Sequence, residues 1–318
     1  MSANSTMMNN RKTLLPPRLM LLLAPVLWST SNVIGKLAVG LMTEFQFTFY
    51  RWLFAAILMT IFCWKVVKKD LPELKKRALW LFFWGGSAFA LFNIVLYGGI
   101  NMGVKLVNIA IIFALIPALV LILNAIIFKE RAHPLQWLGV AATVFGVIWL
   151  VTGGTPQTLL GWRPSLAEGF VLIAALIYVG YSVVLRQAPN VHWMSLMWAM
   201  CVSAMLVSLP FYLWETAKTE QLLIPVAPTT AEIMKALALV AYVTVFVAIL
   251  SKMFYMEGVI VLGASRGALV MNLLPVFNTL AALLIFRDER AVFGAVQLTA
   301  LLWVVGGILS SEIGATLK

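Results

Sequence analysis

The chain has 318 residues, a net charge of +11, 62% hydrophobic residues and only 11% charged ones, with a mean hydropathy of +0.98. Soluble domains carry about 25% charged residues, so water cannot be the main solvent of this surface, and the basic balance sits in short loops as in a membrane protein rather than on a nucleic-acid-binding face. The two cysteines, Cys63 and Cys201, each lie inside an apolar run, which argues against a disulfide framework or a thiolate metal site.

Residues 1–18 form a polar tail carrying Arg11, Lys12 and Arg18. Ten apolar runs follow, at 19–40, 45–67, 79–102, 106–128, 135–152, 166–185, 193–214, 234–257, 262–286 and 292–313. Each approaches the ~20 residues that a helix needs to cross a bilayer. The first is too long for a signal-peptide core and shows no clear small-residue cleavage site, so it counts as a span. Runs of this length are not barrel strands, which alternate over ~10 residues. Helices satisfy every backbone group internally, as lipid demands. The sequence therefore predicts an all-α integral membrane protein of ten transmembrane helices. With the N-terminus in the cytoplasm, fourteen lysines and arginines fall on the inner side and seven on the outer, and the cluster from Lys65 to Arg77 supplies most of the excess. That asymmetry places both termini inside.

The chain repeats itself. Tyr97 precedes Pro117 by twenty residues, and Tyr255 precedes Pro275 by the same twenty. Each proline is followed by an apolar run and a charged cluster, Phe128-Lys129-Glu130-Arg131 in one half and Phe286-Arg287-Asp288-Glu289-Arg290 in the other. Gln136 and Gly146 match Gln297 and Gly307, and Trp28, Asn32 and Lys36 match Tyr178, Ser182 and Arg186 at a constant offset of 150. Five helices are thus repeated, over 19–152 and 166–313. Because five is odd, the second copy enters the membrane from the opposite side. Two inverted repeats of this kind recur in secondary transporters, where a site at their interface opens to either face.

These residues resemble the drug/metabolite transporter superfamily, specifically its EamA-type members with two five-helix repeats. The resemblance rests on Leu27-Trp28-Ser29 with Asn32 and Gly35-Lys36, on Phe49-Tyr50-Arg51-Trp52 with Ala55-Ala56, on Pro117 with Glu130-Arg131 and Gln136, Gly139 and Gly146, and on Pro275 with Glu289-Arg290. It implies a ten-helix fold, a central cavity between the halves and the movement of metabolites, often the export of amino acids or other small organic compounds. One departure is that Cys201, not an arginine, stands opposite Arg51 in the second repeat.

The candidate substrate-binding residues are Trp28, Asn32, Arg51, Tyr178, Tyr181, Ser182, Asn272 and Asn278. A cation in the second span is costly there, at ~2.5–3.5 kcal/mol on insertion scales. Arg51 therefore either attracts an anionic group such as a carboxylate or snorkels to the outer headgroups. Trp28 with Asn32, and Tyr178 with Ser182, set an aromatic wall one helical turn from a hydrogen-bonding group; the two readings are cavity lining and interhelical packing. Pro117 and Pro275 bend the fourth and ninth spans, as hinges or as static kinks. Gly99-xxx-Gly103 and Gly263-xxx-Gly267 place small residues for close helix packing. The twelve acids fall in loops or near helix ends, with Glu257 and Glu312 nearest the membrane, so facilitated export and proton coupling through Glu257 both stand.

The expected function is secondary transport of small organic metabolites, such as amino acids or amphipathic compounds, across a bacterial inner membrane by alternating access. Export is favoured, with an uptake permease of the same fold as the alternative. A membrane-embedded enzyme or sensor domain is the rival from another class, and it lacks clustered His, Asp or Glu on adjacent helices. No enzyme motif, metal ligand set or cofactor site is present in the sequence, and the expected partners are a small-molecule substrate and the lipid bilayer. Nucleic acid is not an expected partner, and a monomer already contains both repeats.

Overall fold

The computed structural model describes residues 14–38, 41–104, 106–129, 131–161, 165–219, 229–274, 277 and 294–317, and every regular element among them is a helix. In chain order these are α1 (Pro17–Ala38), α2 (Glu44–Lys76), α3 (Ala78–Gly85), α4 (Phe92–Asn101), α5 (Leu106–Ala114), α6 (Ile116–Phe128), α7 (Pro134–Val151), α8 (Leu166–Val184), α9 (Trp193–Thr219), α10 (Thr230–Tyr242), α11 (Lys252–Leu262), α12 (Ala264–Met271) and α13 (Ala295–Thr316). Two π-helical segments, Gly86–Leu91 and Val243–Ser251, join α3 to α4 and α10 to α11. Among the described residues, eight helices are long and apolar enough to cross a membrane. Large apolar side chains such as Phe62, Leu79 and Leu302 stand 65–86% exposed on their outsides, the surface expected of a multi-pass membrane protein.

Several boundaries differ from the hydropathy pattern, each for a local reason. Helix α2 runs on through the basic cluster to Lys76. Its 33 residues give ~50 Å of helix against ~30 Å of hydrocarbon, so Lys65–Lys76 form solvated final turns rather than a loop. The eighth span begins at Thr230, where the Thr229 hydroxyl and Glu232 make a capping box, and continues to Leu262. The fourth run breaks at Leu115. Pro117 lies in the first turn of α6, not in mid-helix, where it has no intrahelical N–H bond to lose. Pro275 and Asn278 lie outside the described residues, as do Glu130 and 278–293. Gly103 and Gly263 adopt φ of 87° and 94° at chain turns, so of the two small-residue pairs only Gly99 and Gly267 meet a neighbouring helix.

The chain forms two compact units that cut across its halves. The first unit comprises Met1–Ser29, Gly98–Arg186 and Phe254–Lys318. Its main packing is α7 on α13. At their crossing the backbones touch: a Cβ at Gly139 would lie 2.4 Å from the Gly307 carbonyl oxygen, and one at Gly307 would lie 2.5 Å from that of Gly139. Gly146 meets the Ala300 carbonyl at 3.0 Å in the same sense. Both helices start alike. Gln136 Oε1 accepts from the His133 N–H at 2.9 Å, and Gln297 Oε1 accepts from the Gly294 N–H at 2.8 Å, each glutamine reaching back three residues to a donor that the helix leaves unpaired.

In this unit Asn108 Nδ2 donates to Glu168 Oε1 at 2.6 Å, and the other Glu168 oxygen caps the start of α8 by accepting from the Ser165 N–H at 2.8 Å. Both side chains are buried. Asn108→Leu is expected to lower stability by about 1–3 kcal/mol, the cost of leaving a buried polar group short of a partner. Thermal unfolding of the purified chain in detergent measures it, and an unaltered midpoint would show the bond to be dispensable.

The second unit comprises Thr30–Tyr97 and Gln187–Met253. Here α2 and α9 pack along their length through an aromatic seam. The Phe49 and Tyr212 rings stack at 4.5 Å, the Tyr50 and Tyr212 hydroxyls lie 3.0 Å apart, and Thr43 donates to Glu215 at the helix end. At the other end Asp70 Oδ2 accepts from the His192 N–H at 2.9 Å. A carbonyl of each π segment accepts from a side chain four residues on: Asn93 Nδ2 donates to that of Phe89 at 2.7 Å, and Ser251 Oγ donates to that of Val247.

Candidate functional site

The first unit gathers the aromatic residues singled out on the first and sixth spans. Trp28 on α1 meets Tyr178 on α8 edge-on, with centroids 6.4 Å apart and an interplanar angle of 83°. Tyr178 lies 6.1 Å from Tyr181. Tyr255 on α11 completes the group, 5.3 Å from Trp28 and 5.4 Å from Tyr178. Ser182 Oγ is 2.8 Å from the Tyr255 hydroxyl, and the Tyr178 hydroxyl donates to Met271 Sδ at 3.4 Å. Trp28 is 8% exposed and the three tyrosines 1% or less. Such edge and tilted ring contacts are favourable beyond their burial. The group offers flat apolar faces with hydroxyls at their edges, which suits an amphipathic small molecule. Asn272 caps α12 just after Met271 and is buried, its Nδ2 without a hydrogen-bond partner among the described residues. The Asn32 side chain lies outside the described part of α1.

Tyr255 entered the sequence reading as a repeat marker, not as a site residue. Its partners Ser182 and Trp28 come from distant helices, and the signal that could have found it was its spacing to Pro275, shared with Tyr97. Glu257 is the second correction: it is 1% exposed and lies inside the eighth span, which extends five residues past the expected end. Glu168, expected near a helix end, is there and serves as a cap.

Arg51 lies in the second unit. It is 5% exposed, and its Cζ lies 5.2 Å from the centroid of the Trp52 ring. Its main-chain carbonyl accepts from Thr244 Oγ1 of the second π segment at 3.5 Å. Arg51 thus points into the unit, which removes the snorkelling reading. Lys252, at the start of α11, is 8% exposed.

Residues 16–152 match the EamA-like transporter family. The uncharacterized transporter YetK of Bacillus subtilis is 24% identical over 295 residues, covering 89% of this chain and 83% of that protein. The uncharacterized transporter YyaM of the same organism is 25% identical over 286 residues, covering 88% of each. A crystal structure of a protein 18% identical in sequence superposes with a TM-score of 0.68, covering 94% of this chain and 97% of that one, and so shares its fold. Its long apolar helices are those of a multi-pass membrane protein.

Proposed function

We propose that this EamA-like protein is a secondary transporter exporting small organic metabolites across a bacterial inner membrane by alternating access, with ten spans in two inverted five-helix repeats and both termini in the cytoplasm. The observation that carries the reading is the crossing of α7 and α13. At the offset of 161 that relates Gln136 to Gln297, Gly139 corresponds to Ala300 and Gly146 to Gly307. A two-fold axis through the crossing turns the contact of Gly139 with Gly307 into that of Ala300 with Gly146, and both contacts occur. The cap donors His133 and Gly294 obey the same offset. Elements related in this way run in opposite senses, as inverted repeats do.

The π segments add a mechanical element. At the offset of 158 that relates Tyr97 to Tyr255, Gly86–Leu91 falls within Val243–Ser251, and Asn93 with Phe89 falls on Ser251 with Val247. Wide helical turns are common at functional sites and kinks, and matched ones offer each half the same place to bend. The break at Leu115 before Pro117 is a further hinge. The ring group of Trp28, Tyr178, Tyr181 and Tyr255, with Ser182 and Asn272, forms the path that opens to one side at a time.

The experiment is flux into proteoliposomes across a panel of amino acids, organic acids and amphipathic compounds, with and without a pH gradient. At least one compound is expected to move down its own gradient. Failure of the whole panel, with protein inserted and folded, would overturn the reading. Reporter fusions at the two ends that light up on opposite sides of the membrane would overturn the inverted arrangement.

A further inference from the structure

Helix α2 carries Lys65, Lys68, Lys69, Lys75 and Lys76 in its final turns, and all five are exposed. At about 100° per residue, the five fall within an arc of about 120°. Cys63, Val67 and Leu74 take the opposite side and are buried. Phe54, Ile57 and Ile61, in the preceding turns, fall within the arc of the lysines and are exposed. One face of one continuous helix therefore changes from apolar to basic along its length. Counted from Glu44, Lys65 stands after about 30 Å of helix, at the edge of a hydrocarbon core of that thickness, and Lys68 and Lys69 stand about 5 Å further out, in the headgroup layer. The two acids of these turns lie off the stripe: Asp70 accepts from the His192 N–H, and Glu73 pairs with Lys76. Apolar surface resumes just past Arg77, where Leu79, Phe82 and Phe83 of α3 are exposed, so lipid also flanks the far end of the stripe. Lys65, Lys68 and Lys69 are neighbours at i, i+3 and i+4, a spacing at which like charges repel. An anion seated among the three ammonium groups removes that repulsion, and basic clusters beside a span are drawn to anionic lipid.

We propose that Lys65, Lys68 and Lys69 hold the phosphate of an anionic phospholipid whose acyl chains lie along Ile57 and Ile61. The three ammonium groups are compact point charges with rotatable donors, and their carbon stems cover the apolar boundary while the heads reach the phosphate. The apolar half of the face selects a lipid over a free phosphate. The excess of positive charge selects an anionic headgroup over a zwitterionic one. Lys75 and Lys76, about 10 Å beyond Lys69, add an attraction that salt screens. The site goes beyond the transport reading and needs only that the helices cross a membrane.

The test is binding of dioctanoyl phosphatidylglycerol to the purified full-length chain in neutral detergent, read as a shift in thermal unfolding midpoint over a concentration series. Dioctanoyl phosphatidylcholine keeps the chains and loses the net charge, and glycerol 3-phosphate keeps the phosphate and loses the chains. Phosphatidylglycerol is expected to raise the midpoint in a saturable way that added salt weakens, and the two controls to leave it unchanged. These comparisons use the natural chain alone. The triple variant Lys65→Gln, Lys68→Gln, Lys69→Gln changes only exposed side chains, and it is expected to weaken phosphatidylglycerol binding at least tenfold. Lys218→Gln, whose cation sits over Trp214 at 3.9 Å near the end of α9, is expected to leave that binding unaltered. No shift by phosphatidylglycerol, or an equal shift by phosphatidylcholine, would overturn the site. An equal shift by glycerol 3-phosphate would make it a free-anion site and overturn the lipid. Unaltered binding in the folded triple variant would remove these lysines from it.

Discussion

Gly307→Ala is expected to destabilise the protein by about 3 kcal/mol, at the top of the usual range for overpacking, while Gly306→Ala leaves it unharmed. The two positions are adjacent and chemically identical, and they differ only in what a methyl would meet. At 307 it would sit 2.5 Å from the Gly139 oxygen, 2.7 Å from Thr143 Cγ2 and 2.8 Å from the Thr143 nitrogen. At 306 it would meet nothing within 4 Å. The atoms in the way at 307 are mostly backbone, so no side chain can rotate aside and α7 must back away from α13. At 306 the alanine gains up to ~1 kcal/mol of helix propensity over glycine. Gly139→Ala should behave as Gly307→Ala does, since its methyl would meet the Gly307 oxygen at 2.4 Å and Ser311 at 2.7 Å. Thermal unfolding in detergent of the three variants makes the comparison. Equal midpoints for Gly306→Ala and Gly307→Ala would mean that the helices do not touch where the structure has them.

That crossing also shows what the sequence could and could not reveal. The match of Gln136 and Gly146 to Gln297 and Gly307 was readable as spacing. The physical reason was not: each glutamine closes the first turn of its helix, and each glycine admits a carbonyl of the other helix. Spacing marks residues that do the same job in two places, but it does not say which job. The apolar runs gave most spans because lipid imposes length. They gave helix ends poorly, since ends are set by caps such as Thr229 with Glu232 and by lysines that extend α2 beyond the hydrocarbon.

The π segments explain the larger misses. Each wide turn changes the phase of the helix after it, so the faces of α4 and α11 cannot be read from the spacing of apolar residues upstream. Lys252 and Glu257 both follow the second π segment. Glu257 looked like an acid near a helix end, and both prove buried. Arg51 was legible as costly but not as pointing inward, because snorkelling and burial use the same sequence. Only the side chain's burial, at 5% exposed, and the Trp52 ring beside it separate the two.

Truncating the ring group is expected to cost the most function. Trp28→Ala and Tyr178→Ala should abolish flux of whichever panel compound the natural chain moves. They also remove buried aromatic volume, at about 3–5 kcal/mol for a fully buried ring, so lost flux from these variants alone would not separate a path from a core. Tyr255→Phe does. It preserves the ring contacts with Trp28 and Tyr178, at 5.3 and 5.4 Å, and deletes only the hydroxyl that faces Ser182 at 2.8 Å. A neutral hydrogen bond contributes about 0.5–1.5 kcal/mol to stability, so the variant should unfold close to the natural midpoint. If the hydroxyl orients substrate, flux should fall about tenfold, corresponding to ~1.4 kcal/mol of barrier. Ser182→Ala should lose a similar factor, and the double variant should lose little more than either, since the two groups act as one. Normal flux in Tyr255→Phe and Ser182→Ala, with both folded, would make the pair a packing device and move the path away from these rings.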